Sequence, residues 1–263
     1  MISPPRSRLG QLAFLGFLAA VALFTLAPTS AAQSTEPEDL VVSSLTDCGL
    51  GEDTNDLSLL FLIDESGSLI NQDKDNHRVE GTIAALDALY RLGRDFQDKN
   101  IAIRVAIHGF HKTYNRHDPS WIDLDSPDSL ETLKGFARHY SSRNSGPWTD
   151  YTVALRGATN ELDASGKGCR VLVWFTDGEF DNKVDGILVE EEKVEIREDL
   201  CAATGPVDAL RRGKITMIVI GLSNKDFAAG EGKDPPDLSL VRGIASGDKV
   251  VSAKFELGNS ECG

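Results

Sequence analysis

Apolar runs and amphipathic segments alternate along most of the chain. Four runs are nearly continuous in apolar residues, as is typical of strands that are buried on both faces of a sheet: 57–63, 101–110, 170–176 and 215–222. Four other segments repeat apolar residues at helical spacing: 77–97, 128–140, 149–165 and 206–213. This alternation predicts a Rossmann-like α/β fold, with a doubly wound, mainly parallel central sheet and helices on both faces.

Two local signals refine this prediction. Asp128 lies at the start of an amphipathic segment, where its side chain is predicted to act as the N-cap of a helix. Positions 113–117 follow the second apolar run closely, and they are predicted to hold a short return strand. In parallel sheets of this kind, ligands bind beyond the carboxyl ends of the strands, so the loops at that edge are the first place to look for function.

The first residues read as a targeting signal. Arg6 and Arg8 precede an apolar run at 12–26, and a stretch of small residues follows. This is typical of a secretory signal peptide over residues 1–32, cleaved after Ala32. The run is short for a membrane span of about 20 residues, so no span is expected in the mature chain, although an uncleaved anchor stays open.

The remainder divides into two parts. Residues 33–56 are polar and punctuated by glycine, which is typical of a linker and N-terminal lead-in. Residues 57–263 are predicted to form one domain. Together with the signal peptide, this organisation predicts a protein that is secreted or held at the cell surface.

Composition narrows the classes of partner. The chain has 263 residues, of which 41% are hydrophobic and 26% charged, and this is enough apolar material for one sizeable core. The formal net charge is −14. Nucleic acid and anionic membrane surfaces are therefore excluded as expected partners, because both require clustered Lys and Arg.

Four cysteines are present in a chain that is predicted to be exported: Cys48, Cys169, Cys201 and Cys262. Disulfides persist in that environment, and no two of the four have the short spacing of a structural zinc site. Because the ends of doubly wound domains commonly lie close together, we expect Cys48–Cys262 and Cys169–Cys201. The other pairings stay open, because connectivity does not follow from sequence.

Oxygen-bearing side chains follow the predicted strands at their carboxyl ends. Asp64, Ser66 and Ser68 follow the first strand, Asp177 follows the third, and Thr149 lies in a loop that opens a helix. Because all three segments reach the same edge of the sheet, these five side chains are predicted to converge. The set is hard and modestly charged, which suits Mg²⁺ or Mn²⁺.

These motifs, in this order, resemble the metal-ion-dependent adhesion site of the von Willebrand factor type A family. The family pattern D-x-S-x-S corresponds to Asp64, Ser66 and Ser68, its Thr to Thr149, and its Asp to Asp177. The resemblance implies that Ser66, Ser68 and Thr149 are direct ligands, and that Asp64 and Asp177 act mostly through bound water. It extends over nearly all of the predicted domain.

The expected function is an exported, metal-dependent protein-binding module for adhesion or assembly, without catalysis. Its partner would be a protein, recognised through a carboxylate on the metal or through a basic surface. The acidic residues Glu65, Asp150, Glu179 and Asp181 are expected to form the rim of the site. Such a rim would help to hold a cation and would oppose an incoming carboxylate.

The alternative is a secreted, metal-assisted hydrolase that uses the same ion to activate water. It would need a general base, for which Glu179 is the candidate. His108 and His111 are also considered as bases for a serine nucleophile, but the sequence lacks the elbow motif in which such a serine usually lies. Packed or solvated histidines are therefore expected.

Overall fold

The computed structural model describes residues 54–95, 100–118, 121–166, 168–177, 199–222 and 250–252, and every structural statement below concerns these ranges. The chain divides into two units, Met1–Gln33 and Ser34–Gly263, and all described residues belong to the second. The predicted signal peptide, Glu179 and Asp181 lie outside the described ranges. No helix within those ranges is both long enough and apolar enough to cross a bilayer.

The described residues form one sheet of seven strands, in the order β3-β2-β1-β5-β6-β7, with β4 also paired to β2. The strands are β1 (Asp56–Asp64), β2 (Ala102–Phe110), β3 (Tyr114–Asn115), β4 (Ile122–Asp123), β5 (Cys169–Thr176), β6 (Thr216–Gly221) and β7 (Val250–Ser252). The pairs β1–β2, β1–β5, β5–β6 and β6–β7 are parallel, whereas β3 and β4 run antiparallel to β2. The predicted mainly parallel sheet and the short return strand are confirmed.

Strand register brings the ends of β1, β2 and β5 to one edge of the sheet. Asp64, the last residue of β1, lies opposite Phe110, the last residue of β2. On the other side, Ile63 pairs with Phe175, one residue before the end of β5. The loops that leave these strands therefore start side by side, which is what a shared binding site at this edge requires.

Helices cover both faces of the sheet. Those with both ends in the described ranges are α1 (Leu69–Gln72), α2 (His77–Asp95), α3 (Pro127–His139), α4 (Tyr151–Ala164) and α5 (Pro206–Arg212). Alternate residues of β1 and β5 pack with α2 and α3 in one apolar cluster, and the intervening residues pack with α4 and α5 in a second. The doubly wound prediction is confirmed, because strand side chains alternate between two covered faces.

Helix α3 begins differently from the prediction. Its N-cap is Ser126, whose hydroxyl accepts a hydrogen bond from the Ser129 N–H at 3.2 Å, while the Ser129 hydroxyl accepts one from the Ser126 N–H. Pro127 takes the first helical position, where a missing N–H has no consequence. The predicted N-cap Asp128 is therefore wrong by two residues, and Asp128 instead lies in the first turn.

Two of the four cysteines lie in the described ranges, and both are disulfide-bonded. Cys169 belongs to the apolar cluster beside α2 and α3, whereas Cys201 packs against the cluster beside α4 and α5. The pairing stays a prediction, because Cys48 and Cys262 lie outside the described residues.

Candidate metal site

The carboxylate of Asp64 lies at the end of the central strand and is fully buried. Its Oδ1 accepts a hydrogen bond from the backbone N–H of Ser66 at 2.8 Å, and its Oδ2 accepts one from the hydroxyl of Thr176 at 3.0 Å. Both donors are neutral. The first bond folds the chain back directly after β1, and this turn sets the direction of the two serines that follow.

The hydroxyls of Ser66 and Ser68 lie 2.9 Å apart. Ser68 is the N-cap residue of α1, yet its side chain makes no capping hydrogen bond. A serine at this position ordinarily caps its helix. Here the hydroxyl is instead directed to a second hydroxyl beside a buried carboxylate, as expected of a ligand set.

Backbone pairing fastens the loop that carries Thr149 to the loop that carries the serines. The N–H of Gly67 donates to the carbonyl of Gly146, and the N–H of Gly146 donates to the carbonyl of Glu65, both at 2.9 Å. Gly146 is required at this crossing, because a Cβ there would lie 2.5 Å from the Cβ of His111. Thr149 follows three residues later and is buried.

Asp177 follows β5 directly and is fully buried. Its neighbour Thr176 donates to Asp64 and lies 2.8 Å from the hydroxyl of Tyr151, the first residue of α4. A backbone-to-side-chain hydrogen bond joins Ser66 to Asp64 and a contact between hydroxyls joins Ser66 to Ser68, while Thr149 and Asp177 are brought to the same edge by the elements next to them. Their assignment as metal ligands stays a prediction.

Electrostatics at Asp64 favour an added cation. Burial raises the pKa of Asp64 to about 6, and the hydrogen bonds from Ser66 and Thr176, together with the positive charge of Arg78, only partly oppose this. A divalent ion beside the carboxylate would stabilise its ionised form. Hydroxyl and carboxylate oxygens are also the donors that Mg²⁺ and Mn²⁺ prefer, so the residues present fit such an ion.

Glu65 does not form part of an acidic rim, and that prediction is wrong. Its carboxylate is buried and accepts hydrogen bonds from Asn115 Nδ2 at 2.7 Å and from His117 Nε2 at 2.8 Å. The Nη1 atom of Arg143 lies 3.7 Å from Glu65 Oε1. Gly109 leaves room for this arrangement, since a Cβ there would lie 2.5 Å from the Glu65 carboxyl group.

The side chain of Asp150 also has a structural partner. Its side chain accepts a hydrogen bond from the N–H of Val153 at 3.0 Å and caps α4, and this stabilises the helix start directly after Thr149. Of the four acidic residues predicted to form the rim, the two in the described ranges therefore have structural roles.

A buried ion pair supports both loops, and the sequence did not indicate it. Arg78 is fully buried and donates to Asp73 Oδ2 at 2.6 Å and to the Tyr140 carbonyl at 2.8 Å. Asp73 ends α1, just beyond the serines, and Tyr140 begins the 3₁₀ turn Tyr140–Ser142 that leads toward Thr149. The pair thus connects the two loops through buried contacts. In the sequence, Arg78 has the pattern of an ordinary exposed helix residue, so the pair was not predicted.

Among the described residues, the two candidate histidines form hydrogen bonds with groups other than the serines. His108 is buried within β2 and its Nδ1 lies 2.6 Å from the hydroxyl of Tyr114. Burial, together with the charges of Arg116 and His117, lowers the pKa of His108 to about 4. His111 uses its Nδ1 to accept from the N–H of Lys112 at 2.6 Å. The sequence predicts packed or solvated histidines at both positions, and His108 is buried whereas His111 is half-buried.

Comparisons with solved structures show which proteins have a similar fold. No protein-family model and no curated protein matches the chain. The PilB minor pilin of Streptococcus sanguinis is similar at a TM-score of 0.50 and 17% identity, over 79% of this chain and 58% of the pilin. The pilus adhesin SpaC of Lactobacillus rhamnosus GG is similar at a TM-score of 0.49 and 12% identity, over 80% of this chain and 29% of SpaC.

A von Willebrand factor type A protein from Catenulispora acidiphila is similar at a TM-score of 0.39 and 14% identity, over 63% of this chain and 33% of that protein. The chain thus spans less than two thirds of the length of each of these three structures. At these identities the likeness concerns architecture, and the chain shares the α/β fold of the PilB minor pilin.

Proposed function

We propose that this chain is an extracytoplasmic protein-binding module that depends on a divalent metal ion. Mg²⁺ or Mn²⁺ would be held by Asp64, Ser66, Ser68, Thr149 and Asp177. The observation that carries the proposal is the turn after β1, where a buried carboxylate with only neutral donors lies beside two hydroxyls in mutual contact. Such a group of oxygens is best satisfied by a hard cation.

An ion held mainly by hydroxyls keeps most of its positive charge, and Mg²⁺ rarely obtains all its ligands from protein. A coordination position would remain for a group from outside, and a carboxylate of a partner protein matches it in charge and hardness. Two further observations agree with this role: the predicted signal peptide, and the shared fold with a protein whose name is minor pilin.

The alternative of a metal-assisted hydrolase has less support. Within the described residues, the carboxylate of Glu65 is directed to His117 and Asn115, and His108 is buried against Tyr114. Neither is placed to activate a water molecule at the serines. Glu179, the remaining candidate base, lies outside the described residues, so the binding function is the one that the described geometry supports best.

Metal binding is tested by thermal unfolding of the full chain with and without Mg²⁺ or Mn²⁺. A ligand that binds only the folded state stabilises it by about 2.7 kcal/mol when its free concentration is a hundredfold above the dissociation constant. Thr149→Ala should remove most of this stabilisation. Thr159→Ala, another buried threonine but one that bonds within α4, should retain it. Equal stabilisation of both variants would overturn the ligand assignment.

Partner binding is tested by capture from the native cell envelope with Mg²⁺ or with EDTA. A partner retained by the wild type in Mg²⁺ should be lost in EDTA and lost with Thr149→Ala. Retention under all three conditions would remove the metal from the mechanism. Hydrolysis of an ester or phosphoester panel that Asp64→Ala abolishes would instead establish the enzyme.

A further inference from the structure

A basic and aromatic pair lies beside the candidate metal site. The Nζ atom of Lys112 lies 4.8 Å from the centre of the Trp148 ring, within the range of a cation–π interaction. Lys112 is exposed and Trp148 is half-buried. Trp148 directly precedes the proposed ligand Thr149, so the pair lies beside the loop that carries this ligand.

The backbone holds this pair in place. The carbonyl of His111 accepts from the N–H of Asp150 at 2.9 Å, and this bond joins the loop of Lys112 to the loop of Trp148. Close contact between His111 and Gly146 joins the same two loops a second time. His111, the residue before Lys112, is thus held by Gly146 before Thr149 and by Asp150 after it. The indole ring of Trp148 further restricts the ammonium group of Lys112.

The ammonium group of Lys112 is not paired with an acidic side chain within the described residues. The chain carries a net charge of −14, yet near the cluster Glu65 is bound by His117 and Asp150 caps a helix. No carboxylate among the described residues forms an ion pair with Lys112. Among the described residues, Lys112 therefore offers an unpaired ammonium group beside the loop of Thr149.

An apolar side chain borders the other loop. Ile70, in α1 two residues after Ser68, is 53% exposed and is the one large hydrophobic residue of the described chain with that degree of exposure. Ile70 and Trp148 each lie within two residues of a proposed ligand. A partner that reaches the metal would therefore meet apolar surface on both ligand loops.

We propose that Lys112 and Trp148 form a second contact for an acidic peptide segment of the partner protein. One carboxylate of this segment would bind the metal ion, and a neighbouring acidic side chain would pair with Lys112 where the indole holds it. This inference rests on the proposed metal-dependent binding, and it selects an acidic partner over one with a basic surface. Lys112 is then a specificity-determining residue.

The test uses a displayed library of random peptides, selected on the Mn²⁺-loaded full chain. The wild type should enrich peptides with two or more acidic residues. Lys112→Glu should bind the synthesised form of an enriched peptide about tenfold more weakly, because like charges oppose each other across the contact. Trp148→Leu should weaken binding about threefold, since the loss of the ring face frees the lysine.

Lys214→Glu is the matched control, because Lys214 is exposed and lies before β6, at the opposite edge of the sheet. It should bind the peptide as the wild type does, and all three variants should bind Mn²⁺ as the wild type does. Replacing the second acidic residue of the peptide by lysine should restore its binding to Lys112→Glu.

The outcomes separate the two proposals. If the wild type does not bind Mn²⁺, the proposed function fails and this inference fails with it. If Mn²⁺ binds but the enriched peptides are not acidic, or bind Lys112→Glu as well as the wild type, only the inference is overturned. A loss of peptide binding in Lys112→Glu with unchanged Mn²⁺ affinity supports it.

Discussion

Asp64 and Glu65 are neighbours in the chain, and both carboxylates are buried, with 0% and 4% of each residue exposed. Their surroundings differ in charge. Asp64 receives its hydrogen bonds from a backbone amide and a hydroxyl, whereas Glu65 lies against His117, Asn115 and Arg143. Within the described residues, no Lys, Arg or His lies within hydrogen-bonding distance of the Asp64 carboxylate, whereas His117 and Arg143 both lie close to that of Glu65.

The difference shows how one strand end serves two purposes. Glu65 joins three parts of the fold to the end of β1: strand β3, His117 just after it, and the loop before Thr149. Within the described residues, Asp64 has no cationic partner within hydrogen-bonding distance, so its charge would be best balanced by the proposed metal ion. Glu65, the adjacent residue, holds together the loops around the proposed metal site.

The largest expected effect concerns a third buried carboxylate, that of Asp73, which has its own cation in Arg78. Arg78→Met should lower the free energy of unfolding by about 3 to 5 kcal/mol, because it leaves a buried charge without a partner. Asp73→Asn added to this variant should recover a large part of the loss. Urea unfolding of the two variants measures both effects, and a loss below about 1 kcal/mol would mean that the pair resembles a surface ion pair.

The next effect concerns a buried base. The pKa of His108 is lowered from 6.5 to about 4, so the folded state binds fewer protons than the unfolded state between these values. Stability should therefore fall as the pH drops through this window, with a loss of about 3 kcal/mol near pH 4. A His108→Gln variant should lack this slope.

Only the difference between wild type and His108→Gln isolates the histidine. The pKa of Asp64 is raised to about 6, so without metal it contributes stability that decreases as the pH rises from about 4 to 6. That contribution has the opposite sign and is present in both proteins. Parallel pH profiles of the two proteins would show that His108 is not kept neutral by burial.

The smallest of the stability effects concerns Glu65. Glu65→Gln should lower the free energy of unfolding by about 1 to 2 kcal/mol, because charged hydrogen bonds to His117 are weakened while the side-chain volume is kept. Gly109→Ala should have a similar effect, since its Cβ would displace the Glu65 carboxylate. Denaturant unfolding measures both, and a neutral Gly109→Ala would contradict the close packing.

The sheet and the loops that carry the proposed ligands could be predicted from the sequence for a physical reason. Continuous apolar runs mark strands covered on both faces, and parallel topology sends their carboxyl ends to one edge. Asp64, Ser66 and Ser68 could therefore be assigned to one place, because they follow a buried strand within five residues. Their mutual contacts depend on local chain geometry.

The contacts that were missed depend on residues far apart in sequence. The side chain of Glu65 bonds to Asn115 and His117, and Arg78 bonds to Tyr140. No local sequence pattern indicates in which direction the Glu65 side chain turns, since a glutamate beside two proposed ligands is equally consistent with a charge at the rim of the site. The N-cap of α3 was predicted wrongly for a different reason. Proline is favoured at the first position of a helix, so Pro127 indicates that Ser126, and not Asp128, is the N-cap.

The most direct test is a Mn²⁺ titration, followed by paramagnetic resonance, of the wild type, Asp64→Asn and Glu65→Gln. The account predicts that Asp64→Asn binds Mn²⁺ about 100-fold more weakly while keeping its metal-free stability. Glu65→Gln should bind within about fivefold of the wild type, because its charge is already balanced within the protein. Equal Mn²⁺ affinities of Asp64→Asn and the wild type, or equal losses in both variants, would contradict the distinction between the two carboxylates.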